Sequence, residues 1–111
     1  MPTDTLTADA LAIKDAGGPW PKHWDSGYTE AIRLNGEMCP QEMDLFLWAC
    51  FEWLVGEVGA DIVCRWDDAA ECVAFVVVRL VDSAENKWME HAAPTLPKAI
   101  IAAVKAELGI A

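Results

Sequence analysis

His23 and His91 are the only histidines in the 111-residue sequence, and so the only side chains ready to act as general bases near neutral pH. Neither stands in a recognisable nucleophile motif, and no glycine-rich loop resembles a phosphate cradle. Four cysteines, Cys39, Cys50, Cys64 and Cys72, are separated by 11, 14 and 8 positions. None forms a Cys-x-x-Cys pair and neither histidine completes a zinc spacing, so they read as free thiols of a reducing compartment. Cys64 and Cys72 fall on successive strands, where a disulfide is the alternative if they share a face. Asp61, Asp67, Asp68 and Glu71 crowd one stretch but lack the regular spacing of a calcium loop. The Asp67-Asp68 pair reads as a turn that uses carboxylates for local backbone hydrogen bonds. No catalytic residue, metal ligand or cofactor contact is assigned. A small hydrolase or metal-dependent enzyme would need His23 or His91 to meet a cysteine or acid in space.

The aromatic residues carry a different kind of chemistry. Trp20 and Trp24 sit in Gly17–Trp24, where two glycines and two prolines forbid regular structure. They are expected to fold back as a lid over a core face, or else to form a contact loop for a partner. Trp48 lies on a helix with Asp44 four residues before it and Glu52 four after. It falls outside the helix's apolar stripe, so it is covered by the N-terminal segment or is a partner hot spot ringed by acids. The expected partner-binding set is Trp20, Trp24, Asp44, Trp48 and Glu52.

The elements that position these residues follow from periodicity. Thr7–Ala16 reads as a short helix capped by Thr7 and stopped by Gly17. Residues 25–38 are ambiguous: Ser26 is a plausible cap, Tyr28, Ala31, Ile32 and Leu34 a short stripe, and Asn35-Gly36 a break. Pro40–Val58 is the strongest helix, with Met43, Leu47, Cys50 and Leu54 in one stripe, broadened by Phe46, Trp53 and Val55. Asp61–Asp67, Glu71–Val81 and Lys87–Ala93 alternate as strands joined by short turns, giving an antiparallel meander. Ile62, Cys64 and Trp66 are expected on a well-buried face. Apolar residues on both faces of the second strand put it in the middle of the sheet. Thr95 caps a last helix, Pro97 opens it, and Gly109 ends it. The fold class is therefore α/β in the α+β sense: a three-stranded antiparallel sheet flanked by helices, in the order helix-strand-strand-strand-helix. Residues 1–111 read as one domain, with a loop-rich N-terminal extension over 1–39 and the helix, meander and closing helix over 40–111. The helices are free to cover one or both faces of the sheet.

Apolar residues make up 54% of the chain, so it is not intrinsically disordered. Eighteen acids against eight basic residues give a net charge of −10. That charge excludes a basic nucleic-acid footprint and attraction to an anionic membrane surface. Residues 41–93 hold eleven acids and three basic residues, so the negative charge collects there. Met1–Ala16 has no basic stretch followed by an apolar run, and no apolar window reaches the roughly 18 residues of a span. A soluble cytoplasmic protein is the expectation.

Tyr28-Thr29-Glu30-Ala31-Ile32, the three alternating segments, and the closing His91–Lys105 stretch with its Pro97-Lys98-Ala99-Ile100 helix resemble the bacteriophage α–β–α sandwich domain family. These are small phage accessory proteins, and the resemblance covers about residues 28–108. It departs at Asn35-Gly36 and Cys39-Pro40, which interrupt the family's first helix. The resemblance implies no catalytic residue. It implies a non-catalytic accessory protein of the bacterial host cytoplasm, which acts by binding a host or phage protein or by self-association and modulates a host process or defence system. The acidic surface offers an alternative, a nucleic-acid mimic that inhibits a host DNA- or RNA-binding protein.

Overall fold

The structure, a computed structural model, describes residues 5–110. Met1–Asp4 and Ala111, at the ends of the expected single domain, lie outside the described residues. Helix α1 spans Thr5–Asp15, α2 Ser26–Asn35 and α3 Pro40–Trp53, and α3 runs into a π-helical turn over Leu54–Val58. Strands β1 (Asp61–Asp67), β2 (Cys72–Asp82) and β3 (Lys87–Ala93) follow, and α4 spans Leu96–Leu108. The sheet is an antiparallel meander in the order β1-β2-β3, with β2 central.

The helix ends obey local chemistry. Asp25, not Ser26, caps α2 by accepting a hydrogen bond from the Tyr28 backbone N–H at 2.8 Å. Gly36, at φ 75°, closes α2 by donating its N–H to the Ile32 carbonyl. A left-handed residue there costs a glycine nothing sterically. Cys39 stands at the N-cap of α3, where Glu42 reaches back to accept from its backbone N–H at 2.9 Å. Thr95 caps α4 and Gly109 ends it, as the sequence indicates. Thr7 is not a cap. It lies within α1, fully buried, and its hydroxyl accepts a hydrogen bond from the Met38 backbone N–H at 3.0 Å. That tertiary bond fastens the segment before α3 to α1.

Both hairpins use one device. Asp67 Oδ1 accepts from the N–H groups of Ala69 and Ala70, and Asp82 Oδ1 accepts from those of Ala84 and Glu85. The fourth residue after each aspartate, Glu71 or Asn86, takes φ 53°. The structural reading of Asp67-Asp68 therefore describes what Asp67 does.

Strand register sorts the sheet into two faces. Ile62, Phe75, Val77, Arg79, Met89, His91 and Ala93 share one of them. Val77 belongs to the main core, with Ile62, Phe75 and Ala93 packed beside it. The helices supply the rest of that core through Ile13, Phe46, Cys50, Leu54, Ile100 and Val104. Arg79 reaches from this face to Glu107 of α4 at 2.6 Å. Gly18 lets the chain pass close by: a Cβ there would stand 2.5 Å from Leu108 Cδ1 and 2.8 Å from Ile13 Cγ2.

The other face carries Val63, Arg65, Ala74, Val76, Val78, Leu80, Trp88 and Glu90. Val63, Leu80 and Trp88 on it are exposed, so the helices cover one face of the sheet only. Val76 is nonetheless only 1% exposed. Val63 and Ala92 flank it directly, and the Arg65–Glu90 ion pair, 3.0 Å, spans β2 from β1 to β3 above it.

One expectation for this region is corrected, and the alternative of a Cys64–Cys72 disulfide falls away in favour of the expected free thiols. The alternation of β1 holds, but its inner face is not well buried: Ile62 packs, while Cys64 and Trp66 are exposed. The core cluster reaches β1 at Ile62 and not at Cys64 or Trp66. Cys64 pairs in register with Phe75, and Cys72 with Asp67, so the two thiols lie on opposite faces and do not bond.

Candidate functional site

Helix α3 has two working sides. Phe46 and Cys50 are fully buried, as is Leu54 just beyond the helix. Trp48 is two residues from Phe46, about 200° around a helix of 3.6 residues per turn. It therefore points away from the core and is 59% exposed. Its indole stacks on Phe51 with ring centroids 5.4 Å apart and planes inclined by 17°.

The Pro-Trp-Pro loop is the lid that the sequence suggests, but it covers the inner side of α3. Trp20 meets Phe46 edge-on at 5.6 Å and Trp24 at 5.2 Å. Its Nε1–H donates to the Thr29 hydroxyl at 3.1 Å. Trp24 stacks on Tyr28 and is 7% exposed. The Tyr28 hydroxyl donates to Glu42 in the first turn of α3, which binds α2 to α3. Trp24 is thus corrected from a contact residue to a core residue: its ring has no free face for a partner. Trp20 is half-buried and lines a groove beside α3.

Trp48 forms a ridge between two grooves. The first, of about 440 Å³, runs between α3 and the lid, with Pro19, Trp20, His23, Trp48, Glu52 and Glu57 among its walls. The second, of about 390 Å³, lies between α3 and α4. Asp44, Leu47, Trp48 and Phe51 form one wall, and Leu96, Pro97 and Ile100 form the other. Asp44, Trp48 and Glu52 come together on one exposed row, as their spacing of four requires. Phe51, Glu57 and the α4 wall were not among the expected residues. Phe51 was legible as the i+3 neighbour of Trp48, whereas the contribution of α4 depends on tertiary packing.

The acids of this row, like most acids of the chain, stand outside its ion pairs. Among the described residues, Arg33, Arg65, Arg79 and Lys105 hold ion pairs with Asp15, Glu30, Glu90, Glu107 and Asp9. None of these cations serves Asp44, Glu52 or Glu57. Lys22 lines the far side of the first groove. Trp48 Nε1 has no hydrogen-bond partner among the described residues.

The chemistry-bearing side chains do not converge. His23 is exposed and meets Trp24 edge-on at 6.4 Å. His91 lies on the core-facing side of β3, and its Nε2 is buried with no hydrogen-bond partner among the described residues. Burial pushes the Cys50 thiol up to about 12, which leaves it protonated and unreactive. Among the described residues no group of three or more histidines, cysteines and carboxylates is placed to hold a metal ion. No described helix is long and apolar enough to cross a membrane. Comparison with protein-family models, curated proteins and solved structures returned no match.

Proposed function

We propose that this chain is a non-catalytic binding protein that engages a protein partner through the outer face of α3, with Trp48 as its anchor. One observation carries the reading: a tryptophan 59% exposed, braced by Phe51, standing between two grooves on a rigid helix. Large aromatics anchored in this way are the side chains that dominate binding energy in protein interfaces. The helix is held at its N-terminus by Glu42 and on its inner face by the lid, so the anchor is presented with little ordering left to do. From the resemblance of Tyr28–Ile32 and His91–Lys105 to phage accessory domains, we read the setting as a bacterial host cytoplasm.

The test is capture from bacterial lysate by the wild-type chain and by Trp48→Ala, each at low and high salt. The reading requires a partner that the wild type retains and the variant loses. A nucleic-acid mimic is the competing reading, favoured by the unpaired acids. It requires a captured nucleic-acid-binding protein that is released steeply by salt whether or not Trp48 is present. Retention of every partner by Trp48→Ala contradicts the proposed reading.

A further inference from the structure

We infer that the occupant of this face is a cationic amphipathic helix of the partner protein, laid along the groove between α3 and α4. The inference rests on the binding role just proposed and names the partner's chemistry. Asp44, Leu47, Trp48 and Phe51 follow the i, i+3, i+4, i+7 spacing of a helix-packing stripe, yet Trp48 is left 59% exposed by the described residues. Leu96 and Ile100, four residues apart on α4, form the facing wall. From residue 44 to residue 51 the groove runs about 10 Å at 1.5 Å per residue, the length of two helical turns. A valley between two helices is the shape into which a third helix fits.

An extended strand gains little here. The backbone groups of α3 and α4 are spent within their own helices, so the groove offers no edge for main-chain pairing. A second copy of the same face would set Asp44 and Glu52 against Asp44 and Glu52, between chains that each carry −10. Charge complementarity favours a cationic partner: among the described residues Asp44 is the single ionisable residue lining the groove, Glu52 continues the Trp48 row beyond it, neither is ion-paired, and the chain carries −10 overall. Aliphatic side chains of the incoming helix would fill the space beside Phe51 and Leu96, with lysine or arginine flanking them to reach Asp44 and Glu52.

The test uses three designed helical peptides of equal length built from leucine with lysine, glutamine or glutamate, titrated into the intact chain by calorimetry. The leucine-lysine peptide should bind saturably at one site. Trp48→Ala should weaken it at least tenfold. Asp44→Asn with Glu52→Gln should weaken it about tenfold and flatten its salt dependence, whereas Asp68→Asn with Glu85→Gln, the same charge change at the hairpin ends, should leave it within twofold. Circular dichroism confirms that each variant is folded. Absence of saturable binding, or equal weakening by both charge pairs, overturns the inference. If the glutamine peptide binds as tightly and loses its affinity in Trp48→Ala, the cationic requirement fails while the binding face stands. If Trp48→Ala leaves peptide binding unchanged, the assignment of this groove fails, and lysate capture then judges the binding role separately.

Discussion

Phe46 and Trp48 stand two residues apart on one helix and lead opposite lives. Phe46 is fully buried under Trp20, with Trp24 and Tyr28 stacked beyond. Trp48 has one aromatic neighbour and open space on both sides. The inner cluster is closed by polar bonds as well, from Trp20 to Thr29 and from Tyr28 to Glu42. The outer pair is flanked by Asp44 and Glu52, which hold no ion pair among the described residues. Similar side chains thus do different work: one face builds the domain and the other leaves apolar surface and charge for something else to satisfy.

The sharpest way to break this contrast is to truncate both residues. Phe46→Ala should cost about 3–5 kcal/mol, because it removes a ring from a closed core and leaves a cavity beneath the lid. Trp48→Ala should change stability by no more than about 0.5 kcal/mol, the range of ordinary surface substitutions. Urea unfolding of the two variants beside the wild type measures both. Equal losses would make Trp48 a core residue.

Glu42 tests whether the anchor's helix is held at its N-terminus. Its carboxyl lies below the ordinary range because it accepts from the Tyr28 hydroxyl and then from the Cys39 backbone N–H. A depressed carboxyl contributes stability above the unfolded-chain value of about 4.3 and loses it as pH falls through the lower folded value. Glu42→Ala should cost about 1 kcal/mol at neutral pH, the scale of a lost helix cap. It should also flatten the acid limb of a stability profile measured by thermal unfolding between pH 7 and pH 3.

Much of this is legible in the sequence. Pro40, the stripe through Leu54 and the acids of the outer row define α3, and the segments read as strands over 61–67, 71–81 and 87–93 are the three strands, the second displaced by one residue to 72–82. Thr95, Pro97 and Gly109 bound α4 because capping chemistry is local. Thr7 misleads because its hydroxyl is claimed by Met38, 31 residues away, and no local pattern encodes that bond. The stripe proposed for α2 fails for the same kind of reason. Thr29 and Ile32 are buried, while Tyr28 and Leu34 are exposed, because the Trp20 N–H draws the Thr29 hydroxyl inward. The candidate site was half legible. Spacing alone puts Asp44, Trp48 and Glu52 on one row. The sequence does not say which tryptophans the lid would claim, since Trp20, Trp24 and Trp48 all lie outside the core stripes.

Smaller effects extend the contrast to the rest of the molecule. Native protein should react with a thiol reagent at Cys39 and Cys64, which are exposed, while Cys50 reacts only after unfolding. Peptide mapping of the labelled chain reads this directly. His91→Leu should leave stability unchanged or raise it by up to about 1 kcal/mol, since a buried nitrogen without a partner costs free energy that an apolar side chain avoids. A marked loss in thermal unfolding would show that the His91 ring makes a polar contact within the fold.

The central claim is that Trp48 binds while Phe46 builds. Its most direct test is the affinity of the captured partner for the wild-type chain and for Trp48→Ala, measured by calorimetry on samples with matched unfolding midpoints. The account predicts a loss of about 2 kcal/mol or more, some thirtyfold in Kd, with the fold intact. An unchanged Kd would contradict it.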